Sequence, residues 1–139
     1  MFMILDTDVI VAAIRSSTGA SAEIVRRALQ GVLRIEVSVA IVLEYEAIAT
    51  RREHLQAGGL TAAEALVVID ALAAVARPIE IHFRWRPQLR DSDDEMVLEA
   101  AINAQNRTII TFNTRDFALA ADRFGVTLAT PAQFLESLK

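Results

Sequence analysis

The spacing of apolar and polar positions changes several times along the chain, and each change marks an element. Phe2 to Leu5 is an unbroken apolar run of strand length that stops at Asp6-Thr7-Asp8. Such a run predicts a buried strand. Asp8 to Ile14 reads as a short helix, ended by the polar Arg15-Ser16-Ser17-Thr18-Gly19. Ser21 is placed to cap a second helix, Ala22 to Gln30, which stops at Gly31. Leu33, Ile35 and Val37 alternate with Arg34 and Glu36, the period of a strand. Ser38 is a candidate N-cap for a helix from Val39 to Arg51.

Gly58-Gly59 then breaks the chain between two helices. Thr61-Ala62-Ala63-Glu64 is a capping box before a long Ala/Leu/Val helix ending near Ala76. Arg77-Pro78 stops it, and Ile79 to Phe83 has the composition of a strand. Arg84 to Leu89 reads as a loop carrying Trp85 and Pro87. Ser92-Asp93-Asp94-Glu95 is a second capping box, opening a helix from Asp93 to about Asn106. Thr108 to Thr111 is a short buried strand, and Asn113 can cap a helix from Thr114 to Ala121. Val126 to Leu128 is a last strand. Thr130-Pro131-Ala132-Gln133, with proline at the first helical position, opens the terminal helix. Strands alternating with helices predict an α/β domain whose central parallel sheet is covered on both faces. No repeat, low-complexity stretch or linker interrupts this order, so residues 1–139 read as a single domain.

Composition narrows the chemistry. Apolar residues make up 53% of the 139, which excludes a disordered chain. No apolar run is long enough to cross a bilayer, and the N-terminus has no basic region or small-residue cleavage site. A cytoplasmic protein without membrane contact is therefore expected. The absence of cysteine excludes disulfides, zinc–thiolate sites and thiol catalysis. His54 and His82 stand far apart and read as structural or exposed. Any metal would then be a hard cation bound by oxygen. The net charge of −4 argues against a non-specific nucleic-acid binder.

The acids are grouped. Asp6 and Asp8 follow the first strand, Asp91, Asp93 and Asp94 precede or open a helix, Asp116 falls in the first turn of another, and Glu44 lies inside a third. Dipole complementarity accounts for acids in a first helical turn. That covers Asp93, Asp94 and Asp116 but not Glu44, which shares an apolar stripe with Ile41 and Ile48; Asp94 too shares one, with Val97, Leu98 and Ala101, which weighs against a dipole role alone. Asp6 reads as lying outside any helix. Two carboxylates about 5 Å apart at an effective dielectric of about 20 repel by roughly 3 kcal/mol. Acids that converge must therefore be partly protonated or share a cation, and one or two divalent ions suit phosphoryl displacement.

These residues in this order resemble the PIN-domain ribonucleases, and within them the VapC-like toxin components of bacterial toxin–antitoxin systems. The family's opening strand and D-T-N is matched by Asp6-Thr7-Asp8, with aspartate where asparagine is usual. Its glutamate after an apolar helix start is matched by Val42-Leu43-Glu44. Its R-D-P-D-D-x-x-x-L is matched by Arg90-Asp91-Ser92-Asp93-Asp94 through Leu98, with serine for proline. Its strand–T–x–N–x–x–D–F is matched by Thr111-Phe112-Asn113-Thr114-Arg115-Asp116-Phe117. Its closing T-P-x-x-F-L is Thr130 to Leu135. The resemblance implies a PIN-like, Rossmann-like three-layer fold and an endoribonuclease dependent on Mg²⁺ or Mn²⁺. It implies a cognate antitoxin and a homodimer. It also implies Asp6, Glu44, Asp94 and Asp116 as the catalytic and metal-binding acids, with Thr111 and Asn113 in support beside Asp8 and Asp91. Arg15 and Arg115 are candidates for substrate phosphate.

Other readings are weaker. An aspartate pair after a first strand also suits haloacid-dehalogenase-like phosphatases and phosphoacceptor receivers, but both want a catalytic lysine and the sole lysine is the terminal Lys139. Phosphate-binding and dinucleotide glycine motifs are absent. A PIN-like RNA- or protein-binding module without nuclease activity is the rival from another class. Trp85 between two arginines is a candidate for base stacking. Phe112, Phe117, Phe124 and Phe134 read as core, and Tyr45 as core or interface. The helix from Ala62 to Ala76 is apolar nearly all round: it is either buried on two sides or forms a surface for a partner or a second copy.

Overall fold

In the computed structural model, which describes residues 2–82, 89, 92–104 and 107–139 (with backbone alone at 92 and 93), Phe2–Leu5 forms β1 in the middle of the sheet. On one side lie β2 (Arg34–Val37) and β3 (Arg77–Pro78); on the other lie β4 (Thr108–Ile110) and β5 (Thr127–Ala129). The order is β3-β2-β1-β4-β5 and every pairing is parallel. Met3 pairs with Ile35, Ile4 with Ile109 and Leu5 with Ile110, so the middle of the sheet is a buried aliphatic layer. Each such side chain contributes about 1.5–3 kcal/mol on burial. The chain runs outward from β1 to β3 and then crosses to β4 on the opposite side. That reversal opens a crevice at the carboxyl ends of β1 and β4, where ligands bind in open sheets of this kind.

Among the described residues, eight helices flank the sheet: α1 (Thr7–Arg15), α2 (Ala20–Leu29), α3 (Val39–Ala49), α4 (Arg52–Gly58), α5 (Ala62–Val75), α6 (Ser92–Asn103), α7 (Thr114–Phe124) and α8 (Pro131–Ser137). This is the three-layer, PIN-like α/β architecture that the sequence predicts. Ile10, Ile24, Ile41, Ile69, Leu72, Leu98 and Phe117 carry the helices onto the core. The capping boxes at Thr61/Glu64 and Thr130/Gln133 are both formed, and Ser38 Oγ accepts from Ile41 N at 3.2 Å.

Several boundaries differ from the sequence reading. α2 begins at Ala20 behind Gly19, so Ser21 lies in its first turn, buried, and does not cap it. α3 ends at Ala49, where Thr50 Oγ1 donates to the Glu46 carbonyl at 2.5 Å and Arg51 turns extended, starting the separate helix α4. β3 lies at Arg77–Pro78, and Ile79 to His82 of the expected strand from Ile79 to Phe83 form none, Phe83 lying outside the described residues. β2 ends at Val37, which pairs with Pro78 and accepts from Ile79 N at 2.8 Å, so no partner remains further on. α7 runs one turn past Ala121, to Gly125 at φ 68°. The expected loop residues 84–88, the side chains of the second capping box at Ser92 and Asp93, and Asn106 lie outside the described residues.

Two burial expectations also change. Glu36, read as the polar side of an alternating strand, is 2% exposed because the parallel sheet is covered on both faces, so that side of β2 is packed over as well. Burial pushes its carboxyl up, opposed by Arg77 at 3.8 Å. α5 buries Ala65, Ile69 and Leu72 but leaves Val67 and Val75 exposed, so it is covered on one face only. Among the described residues no single helix is long and apolar enough to cross a membrane.

Gly58 is where α4 meets the end of α1. A Cβ there would fall 1.9 Å from the Ile14 carbonyl oxygen, so backbone would have to move. Gly58→Ala is expected to destabilise the chain by about 1–3 kcal/mol, the usual cost of overpacking. Urea denaturation of the variant against the parent checks this.

Candidate acidic active site

Asp6 stands where β1 ends. Its backbone N–H still donates to the Ile110 carbonyl at 2.9 Å, the last bond of the ladder. Its side chain is 5% exposed and held on both oxygens. Oδ1 accepts from Thr7 N at 2.7 Å, capping α1, and Oδ2 accepts from Thr111 Oγ1 at 2.7 Å. Asp6 is thus the N-cap of α1. The reading that helix-terminus electrostatics cannot bear on it is corrected: the helix begins one residue earlier than the pattern suggests, at Thr7.

Asp8 sits in the first turn of α1. Its Oδ2 accepts from Phe112 N at 3.1 Å and lies 3.3 Å from Thr111 Oγ1. Its Oδ1 is buried without a hydrogen-bond partner. Burial pushes the Asp8 carboxyl up to about 7, helped by the neighbouring Asp6 charge and opposed by the Phe112 N–H and Thr111 hydroxyl. Beneath the pair, Tyr45 on α3 donates its hydroxyl to the Leu5 carbonyl; burial and Asp6 together raise its pKa.

Glu44 and Asp94 approach from two other helices. Glu44 is half-buried on α3 one turn before Ile48, and Asp94 is half-buried in the first turn of α6. Asn113 Nδ2 lies 3.4 Å from Asp94 Oδ2. Asn113 therefore turns its amide to an acid; it precedes α7 without capping it by its side chain. Asp6, Asp8, Glu44, Asp94 and Asn113 line one cavity of about 360 Å³, together with Arg51. It lies at the reversal point of the sheet.

Not every sequence candidate is here. Asp116 is exposed in the first turn of α7 and is not among the lining residues. Asp91 lies outside the described residues. Arg15 bonds His54 Nδ1 at 3.0 Å, and Arg115 is exposed; neither lines the cavity. Arg51, which the sequence reading passed over, does. Helical spacing from Glu44 and Ile48 does not account for it, because α3 ends at Ala49 and Arg51 is the extended residue between α3 and α4. Phe117 and Phe134 are buried and Phe124 half-buried, but Phe112 is 52% exposed, a correction that follows from its place in the loop beside Asp8.

Among the described residues no three acidic or histidine side chains stand grouped to hold one ion. The donor chemistry nevertheless fits a hard divalent cation. The lining offers carboxylate oxygens, and Asp8 Oδ1 is a buried acceptor that no described residue satisfies.

The fold and this cavity define a doubly wound α/β protein with an acid-lined crevice at its switch point. The sequence matches the PIN domain family model over residues 3–115, and the chain belongs to that family. Its fold is shared with a chain in the crystal structure of VapBC2 from Rickettsia felis bound to a DNA fragment from their promoter. That match has a TM-score of 0.58 at 14% identity and covers 94% of this chain and 98% of the other. No curated protein matches the sequence at a significant level.

The Asp8 shift carries a pH dependence. Its folded value, about 7, lies above the ordinary 3.8, so the folded chain keeps a proton that the unfolded chain gives up between them. Stability from this group is complete below the lower value and is lost as pH rises through the upper one. In EDTA, Asp8→Asn is expected to be more stable than the parent at pH 7.5 and to lose that advantage near pH 4. Denaturation midpoints at the two pH values check it.

Proposed function

We propose that the chain is an endoribonuclease dependent on Mg²⁺ or Mn²⁺ and the toxin of a toxin–antitoxin pair. The observation that carries this reading is the convergence of Asp6, Asp8, Glu44 and Asp94, from three separate stretches of sequence, on one cavity in a PIN-domain chain. The similarity of fold to a VapBC2 chain supports an antitoxin partner, and the resemblance of the sequence supports a homodimer.

Asp6, Glu44 and Asp94 would hold the ion, with Asp8 beside them and Asp116 joining from α7. A bound divalent cation supplies Lewis-acid polarisation of the phosphoryl group, an activated water, and charge neutralisation in the transition state. The chain's own residues prepare the site. Thr7 N and Thr111 Oγ1 hold both Asp6 oxygens, so its orientation is set before substrate enters. Asn113 positions Asp94. Arg51 brings a cation into the acidic lining, where a guanidinium fork meets a backbone phosphate.

The test is cleavage of a labelled single-stranded RNA panel in Mg²⁺ and Mn²⁺. Asp6→Asn and Asp94→Asn are expected to lose at least about 100-fold, since removing even an outer-shell partner of a metal ligand costs about 10–100-fold. Asp116→Asn, exposed and outside the cavity lining, is expected to lose about tenfold. Full cleavage by folded Asp6→Asn and Asp94→Asn would end the proposal. An absence of any EDTA-sensitive cleavage by the parent would favour the rival, a PIN-like module that only binds.

A further inference from the structure

Arg51 lines the acidic cavity from the junction of α3 and α4, and it is exposed. Arg15 stands further out along the same seam. Asp8, Val11 and Arg15 occupy positions i, i+3 and i+7 of α1, one helical face. Asp8 and Val11 line the cavity, and Arg15 follows Val11 by one turn, about 6 Å along the axis. From the α4 side the Arg51 carbonyl accepts from His54 N at 3.0 Å, and His54 Nδ1 meets Arg15 Nη1 at 3.0 Å. A guanidinium has donors only, so His54 Nδ1 is the acceptor. Arg15 therefore keeps its charge and its other N–H groups. The His54 side chain is 16% exposed, with the exposed Glu53 carboxylate 3.9 Å away at the other ring nitrogen. The seam is tight, since a Cβ at Gly58 would fall 1.9 Å from the Ile14 carbonyl oxygen. Arg51, His54 and Arg15 thus form a hydrogen-bonded row from the cavity to the end of α1.

The helix dipole accounts for a cation in the last turn of α1. It does not account for a row that continues to Arg51, or for the charge left available there. Arg26 and Arg27 are tied to Glu23, and Arg77 lies against Glu36. Among the described residues neither Arg15 nor Arg51 forms an ion pair with a carboxylate. A single small anion would use only one of these two arginines. A ligand that sets one anionic group at the cavity and another a helical turn away is a repeating polyanion. Among polyanions, a phosphodiester strand offers the paired oxygens that a guanidinium fork fits.

We propose that the α1–α4 seam is a phosphate track, in which Arg51 meets the RNA backbone at the cavity and Arg15, aimed by His54, meets a neighbouring phosphate of the same strand. The inference rests on the ribonuclease reading above and adds the direction in which the strand leaves the site. Contacts of this kind fix register and add affinity without reading sequence.

The experiment measures binding of the full chain to single-stranded RNA over a range of KCl, with Ca²⁺ in place of Mg²⁺. A neutral methylphosphonate replaces each phosphate in turn. Arg15→Gln is expected to lower the slope of log affinity against log salt by about 0.7, which is about fivefold weaker binding at 0.1 M, equally for all sequences. Arg15→Lys is expected to keep the slope. In the parent, one methylphosphonate away from the cleaved bond is expected to weaken binding by a similar factor, and in Arg15→Gln that position is expected to have no further effect. His54→Ala is expected to keep the slope but spread this effect over neighbouring phosphates, and His54→Asn, which retains an acceptor, to restore it. A histidine that only packs would leave that pattern unchanged. Unchanged slope and pattern in Arg15→Gln would overturn the track, as would a parent that binds no RNA, or displacement of RNA by poly-glutamate as readily as by RNA of equal charge. The expected pattern in a parent that cleaves nothing in Mg²⁺ would keep the track and remove the nuclease reading. Cleavage by the parent, with Arg15→Gln binding indistinguishably from it, would do the reverse.

Discussion

Thr111 has one hydroxyl proton, and two carboxylates, the buried Asp6 and the half-buried Asp8, reach for it. Asp6 Oδ2 lies at 2.7 Å and Asp8 Oδ2 at 3.3 Å, so the proton goes to Asp6 and Asp8 is left with a backbone N–H. Two unit charges roughly 6 Å apart at an effective dielectric of about 20 repel by about 3 kcal/mol. The protein carries that repulsion at the edge of its core, where Asp6 follows the most buried strand of the sheet. Relief comes from protonation, which the rise of Asp8 to about 7 expresses, or from a cation. Every other polar group nearby is arranged around this choice. Asn113 N donates to the same Thr111 oxygen at 2.9 Å, and the Asn113 amide faces Asp94.

Topology is what makes the repulsion useful. In an all-parallel sheet with the order β3-β2-β1-β4-β5, β1 and β4 end side by side while their following helices lead away in opposite directions. The residue after β1 and the residue after β4 must then meet, which places Asp6 against Thr111. Helices α3 and α6 border the same crevice, and each contributes one acid from an otherwise apolar stripe. Charge is therefore collected from parts of the chain up to about a hundred residues apart without a long loop in the described site. The β4–α7 connection that supplies Thr111 to the acids also leaves the next residue, Phe112, half exposed.

Local signals that depend on neighbouring residues were legible in the sequence. The apolar run of β1, the alternation of β2, and the capping boxes at Thr61 and Thr130 each act within a few residues, and each appears where the pattern puts it. The inward-leaning stripes of Glu44 and Asp94 were legible for the same reason: helical period is local. Signals that depend on what lies across a gap were not. Glu36 looked like a polar face, but the layer packed on that side of β2 buries it. The break of α3 into α4 turns on a Thr50 side chain taking the Glu46 carbonyl, a competition that propensity does not rank. Ser21 looked like a cap because its type suits one, but the helix starts earlier and encloses it.

What the sequence determined by itself is the α/β alternation and which carboxylates lie on apolar faces, because strand period, helix period and capping are encoded at short range. What only the tertiary structure decided is which of those acids share a cavity: Asp6, Asp8, Glu44 and Asp94 line it, with Arg51 among them and Asp116 outside. That outcome depends on strand order and on the packing angle of each helix, quantities set by the whole core at once and by no single stretch of it.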